Sequence, residues 1–210
     1  MHVQFPSQST NLSFYQVFAL PVVENCISAE AYKPGGIIKS YSGKTVEIGN
    51  TDAEGRLILA DTLSYIQEKY TPSTIIDFAT LTGASKVALG EYSAALFSND
   101  DLLASRLLYA ASQSNEYLWQ MPIFPEHDKE LKSKFADIKS TGSGKGGACT
   151  AAAFLQSFVK SKTAWAHLDI AGPAKLSAQV NHLKQGGTGY GVLTALQFLQ
   201  NVIGYSSQKF

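Results

Sequence analysis

Residues 50–57 read Asn-Thr-Asp-Ala-Glu-Gly-Arg-Leu and set two carboxylates and a guanidinium at every second position: Asp52, Glu54 and Arg56. In an extended segment, side chains two apart share a side, so the three charges are expected to converge. Paired carboxylates are hard ligands for divalent cations, and a guanidinium beside them suits an anion or a developing oxyanion. Arg56 keeps its proton near neutral pH, so its role is that of an anchor or electrostatic clamp rather than a base. The same octet also reads as a helix start. Thr51-x-x-Glu54 is a capping box, in which each side chain takes a free N–H of the first turn. That reading leaves Asp52 and Arg56 without a role and puts Gly55 in the first turn, where glycine is disfavoured.

Other chemistry-bearing residues are fewer. The four histidines, His2, His127, His167 and His182, show no His-Glu-x-x-His or similar ligand spacing. His167 and Asp169 fall on one strand face in apolar surroundings, where a hydrogen-bonded structural histidine is expected. Residues 142–147 (Gly-Ser-Gly-Lys-Gly-Gly) lack the first glycine and the Ser/Thr of a phosphate loop, and residues 187–191 miss the dinucleotide fingerprint by one position. Both are expected to be loops.

Formal net charge is zero and no long basic run exists, which argues against a nucleic-acid partner. The two cysteines, Cys26 and Cys149, lie far apart and form no disulfide framework, which fits a reducing, cytoplasmic setting. The first sixteen residues lack the charged and apolar regions of a secretory signal, and no stretch approaches the ~20 apolar residues that span a bilayer.

The octet, unchanged, resembles the signature of the leucine aminopeptidase (cytosol aminopeptidase) family. Residues 79–84 (Ala-Thr-Leu-Thr-Gly-Ala), 146–155 and 165–172 resemble three later family segments in order, and 23–25 and 31–35 also fit. The resemblance implies a dinuclear metallo-aminopeptidase that cleaves N-terminal residues, often leucine, from peptides. It implies that Asp52 and Glu54 bind two divalent ions (Mn or Zn), with Glu54 bridging them. Arg56 is then the catalytic arginine, holding a bicarbonate. Thr80, Leu81 and Gly83 line the substrate cleft with backbone groups on the peptide, and Ala171 and Ala174 wall the pocket for the first side chain. The family forms hexamers, so a homo-oligomer is expected.

Two family segments are missing ahead of the octet: Lys-Gly-x-x-Phe-Asp-Ser-Gly-Gly and Lys-x-Asp-Met. They carry a lysine ligand, further aspartate ligands and a catalytic lysine. Residues 1–16 are expected to be a poorly matching N-terminal segment, and 17–210 a partial catalytic domain with half a metal site. The alternative is an inert fragment or an assembly subunit that keeps the fold.

The elements that must position these residues alternate. Residues 14–23 read as a strand, 25–44 as a loop with turns and 45–50 as a strand delivering the octet. Leu59, Leu63, Ile66 and Tyr70 recur at helical spacing, which predicts a helix over 56–70. Strands are expected at 73–79, 94–98 and 164–170. Helices are expected at 100–114, capped by Asn99 or Asp100, at 151–158 and at 192–203. The charge run 126–130 reads as a solvated helix face within an irregular stretch. The pattern predicts an α/β fold, a three-layer helix-sheet-helix with a largely parallel (mixed) sheet. Its ligand loops should leave the carboxyl ends of strands.

Overall fold

The computed structural model describes residues 15–179 and 185–207. Its centre is a four-stranded sheet of β3 (Thr74–Ala79), β7 (Ala164–Asp169), β4 (Ser93–Ser98) and β5 (Tyr117–Gln120), in that order. β3 and β7 run parallel, β7 and β4 antiparallel, and β4 and β5 parallel. A smaller sheet joins β1 (Ile37–Lys39), β2 (Thr45–Glu47) and β6 (Ile138–Lys139). β8 (Lys175–Leu176) pairs with β9 (Gly186–Gly187).

The period-2 alternation of the strands fixes three layers. Ile75, Ala95, Phe97 and Trp165 point to one face, against α1 (Glu54–Lys69) and α5 (Gly147–Gln156). Ile76, Leu96, Ala166 and Leu168 point to the other, against α3 (Asp101–Ser114) and α6 (Val192–Ser207). The expected helix-sheet-helix architecture with a mixed sheet is the one observed. α1 is joined to the turn after α5 by a buried amide: Gln67 donates to the carbonyls of Leu63 (2.7 Å) and Phe158 (2.9 Å) and accepts from the Lys160 N–H at 2.7 Å. Asp100 caps α3, its side chain accepting from Leu103 N at 2.7 Å. The charged run forms α4 (Pro125–Glu130), and α2 (Gly83–Leu89) follows the loop after β3.

Three expectations change. Residues 15–23 form no strand (Phe14 lies outside the described residues), because no described neighbour offers them a ladder. Phe18, Leu20, Val22, Val23 and Ile27 are left exposed. The expected loop 25–44 contains β1, held by pairing to β2. β5 lies in a stretch with no strand expectation.

Candidate active site

The octet is not extended. Asn50 closes the chain leaving β2, and its side-chain carbonyl accepts from Asp52 N at 3.0 Å. Residues Thr51–Ala53 make one 3-10 turn, and α1 follows at once. The cap is therefore Asn50, and no side chain caps the start of α1 at Ala53. In this winding, side chains two apart diverge instead of converging. Asp52 is exposed, Glu54 is half-buried and Arg56 points inward with 8% of its surface exposed. The two carboxylates lie towards Tyr32, whose hydroxyl donates to the Thr51 carbonyl at 3.2 Å. Burial first, then Glu54 and Asp52, raise the phenol above its ordinary range. Glu54 also lines a cavity of about 490 Å³ together with Tyr32, Asp61 and the chain from Pro21 to Asn25.

Arg56 enters a different neighbourhood. One guanidinium nitrogen, Nη1, donates to the Ser140 carbonyl at 2.7 Å, just past β6. Nε is buried and has no partner among the described residues. Burial pushes the group down to about 10, against the opposing field of Asp169, so it remains a cation at neutral pH. Gly55 brings α1 against the loop after β3: a Cβ there would meet Leu81 Cδ1 at 3.4 Å.

Parallel pairing of β3 with β7 sets Ala79 opposite Asp169, so the two loops leave the same sheet edge. Asp169, fully buried, gathers both. One oxygen, Oδ1, accepts from Leu81 N (3.1 Å), Thr82 N (3.3 Å) and Ala171 N (3.2 Å). The other, Oδ2, accepts from the Thr82 hydroxyl at 2.6 Å. That hydroxyl in turn accepts from Ser85 N at 3.0 Å and caps α2. Thr80 and Gly83 flank this grip at the surface. Ala174 is held by its N–H on the Ile170 carbonyl and its own carbonyl under the Thr188 N–H, each at 3.0 Å.

Leu81, Thr82, Asp169 and Ala171 thus come together at one edge, with Arg56 bonded to Ser140 and inside the field of Asp169, while Asp52 and Glu54 sit on the Tyr32 side. Asp169, Thr82 and Ser140 were not singled out as site residues. An acid at the carboxyl end of an apolar strand was the available signal for Asp169.

His167 shares a strand face with Asp169 but turns elsewhere. Its Nδ1 lies 2.5 Å from Asp77 Oδ1, and Asp77 Oδ2 also accepts from the Trp165 indole at 2.8 Å. The ring stacks against Trp165 and Phe97, and Nε2 has no partner among the described residues. The expected structural histidine is therefore bonded on one nitrogen only. His127 accepts from Phe124 N at 3.0 Å. His2 and His182 lie outside the described residues. Both cysteines are free. Cys149 packs in the core, where burial raises its thiol, and Cys26 is exposed. Among the described residues no group of three or more His, Cys, Asp or Glu is arranged to hold a metal ion, and no helix is long and apolar enough to cross a membrane.

Residues 7–196 match the model of the cytosol aminopeptidase family, catalytic domain. A probable cytosol aminopeptidase of Chloroherpeton thalassium is 51% identical over 182 residues, covering 87% of this chain and 36% of that protein. One from Rhodopseudomonas palustris is 53% identical over 176 residues, covering 84% and 35%. The solved structure of a mutant tomato leucine aminopeptidase superposes with a TM-score of 0.80 at 47% identity, over 85% of this chain and 34% of that one. The chain spans about a third of the length of these relatives.

Proposed function

Since this chain belongs to the cytosol aminopeptidase family, we propose that it supplies part of a leucine-type aminopeptidase, a metal-dependent hydrolase releasing N-terminal residues from peptides. The observation that carries this is the grip of Asp169 that joins the Leu81–Thr82 loop to the Ala171 loop at the carboxyl ends of β3 and β7, with Arg56 inside its field. Residues 17–210 are then a partial catalytic domain acting in the cytoplasm, within a homo-oligomer such as a hexamer.

Asp52 and Glu54 are the carboxylates this chain offers to a pair of divalent ions, Mn or Zn. Two such ions need about four to six donors each. The described residues do not meet that need.

The roles of the chain's own residues follow from their chemistry. Arg56 is a fixed cation whose free Nε offers one N–H to an anion such as bicarbonate. It steadies negative charge and moves no proton. Thr80, Leu81 and Gly83 line the cleft. The N–H groups of Leu81 and Thr82 are already taken by Asp169, so a bound peptide is met by other groups of that loop. Ala171 and Ala174 form a wall of small side chains, which leaves room for an aliphatic first residue such as leucine.

Hydrolysis of leucine p-nitroanilide with added manganese or zinc, lost on Glu54→Ala, is the outcome that supports this reading. The donor count favours a second reading, in which the isolated chain is inert or acts as an assembly subunit. Metal binding without turnover, or co-purification with a full-length relative, would favour that one.

A further inference from the structure

We propose that Asp169 is the positioning residue of this site: one buried carboxylate ties the loop after β3 to the loop after β7 and so sets the spacing between the cleft and the wall of the first-side-chain pocket. The assignment of those loops to cleft and wall rests on the aminopeptidase reading above; the clamp itself rests on geometry.

Four donors from two loops converge on this group, three backbone N–H groups and one hydroxyl, at 2.6–3.3 Å. It is fully buried, so water cannot substitute for any of them. Leu81 and Ala171 share Oδ1 and move together or not at all. Thr82 fixes the second oxygen and passes the constraint to the first turn of α2 through Ser85. A buried carboxylate also needs a compensating charge, and Arg56 is the cation whose charged form it favours. An asparagine at 169 would keep the shape but turn an NH2 towards donors, leaving at least one N–H unmet, and would remove the charge facing Arg56.

The test is residue-resolved hydrogen exchange on the 15N-labelled full chain at fixed pH, with the Arg56 Nε–H cross-peak followed in parallel. In Asp169→Asn, exchange at Leu81, Thr82 and Ala171 should rise together, by about tenfold or more, while α3 amides hold. The Arg56 cross-peak should shift. Thr82→Val removes only the hydroxyl contact. It should speed the same three amides by a smaller factor and leave the Arg56 cross-peak in place.

Faster exchange in only one of the two loops of Asp169→Asn, or in neither, overturns the proposal. If Asp169→Asn fails to fold, Thr82→Val decides: a rise confined to Thr82 and Ser85, with Ala171 unaffected, overturns it. These readouts need no turnover. Joint loop opening in a chain that neither hydrolyses leucine p-nitroanilide nor binds manganese removes the aminopeptidase reading and keeps the clamp, whereas manganese binding lost on Glu54→Ala without joint opening does the reverse.

Discussion

Glu116 caps α6 from across the molecule by gripping Thr194: its Oε2 accepts from the Thr194 N–H at 2.8 Å and from the Thr194 hydroxyl at 2.6 Å. Its other oxygen accepts from Gly191 N at 2.9 Å. The residue follows Asn115, which closes α3 in the left-handed conformation. One carboxylate therefore joins the end of α3 to the start of α6, the pair that covers one face of the sheet. Glu116→Ala strands the N–H groups of Thr194 and Gly191, while the Thr194 hydroxyl can turn to Ser114 Oγ at 3.2 Å, and charged hydrogen bonds of this kind contribute roughly 1.5–3 kcal/mol each at most. The expected loss is about 2–3 kcal/mol of unfolding free energy, checked by urea denaturation.

Gly172 admits no side chain. A Cβ there would sit 2.1 Å from the Gly90 carbonyl oxygen, a backbone atom that cannot swing aside. Gly172→Ala should force the loop after β7 away from the end of α2 and destabilise the protein by about 1–3 kcal/mol or more. A thermal midpoint equal to wild type would contradict this contact.

Acid should weaken the fold in a defined direction. Asp137 is held below its ordinary value of 3.8 by the Thr45 N–H and then by the Thr45 hydroxyl. Glu130 is held below 4.5 chiefly by the Ser143 hydroxyl, and Glu91 below 4.5 chiefly by Lys86. For a depressed carboxylate, the stabilisation is complete above the unfolded value and disappears as pH falls through the folded one. Thermal midpoints should therefore drop between pH 5 and pH 2–3 (approximate window), and Asp137→Asn should flatten part of that drop. A midpoint that stays level across the window would count against these bonds.

Metal and turnover should part company in the isolated chain. Asp52 and Glu54, one of them exposed, offer too few donors for tight divalent binding. Calorimetric titration with manganese should give a shallow isotherm that Glu54→Gln flattens further, and leucine p-nitroanilide should be hydrolysed little or not at all. Robust turnover abolished by Glu54→Ala would reverse this expectation.

The exposed apolar run from Phe18 to Ile27 should drive association. Light scattering should detect mass rising with concentration, and Leu20→Lys with Val22→Lys should suppress it. A wild-type chain that remains a monodisperse monomer would speak against that role.

Long elements were legible because burial imposes periodicity. Leu59, Leu63 and Ile66 mark α1, and the apolar blocks of β3 and β7 mark the sheet. The helix start within the octet was legible, but its cap is Asn50 and not Thr51, and the extended alternative fails. The turn that Asn50 starts separates Asp52 and Glu54 from Arg56. β5 escaped notice because a four-residue strand with Tyr117 and Trp119 exposed carries no clear alternation. The grip of Asp169 on Leu81 spans 88 positions and exists only once β3 and β7 lie side by side. Spacing along a chain carries no trace of such a register.

Trp165 and Trp119 are the only two indoles in the chain, and they live in opposite worlds. The first is wholly enclosed and bonded to Asp77, and the second is 66% exposed on the edge strand. Intrinsic fluorescence should therefore split into a blue, acrylamide-resistant component and a red, quenchable one. The molecule carries its own optical gauge of whether the sheet centre and the sheet margin come apart together.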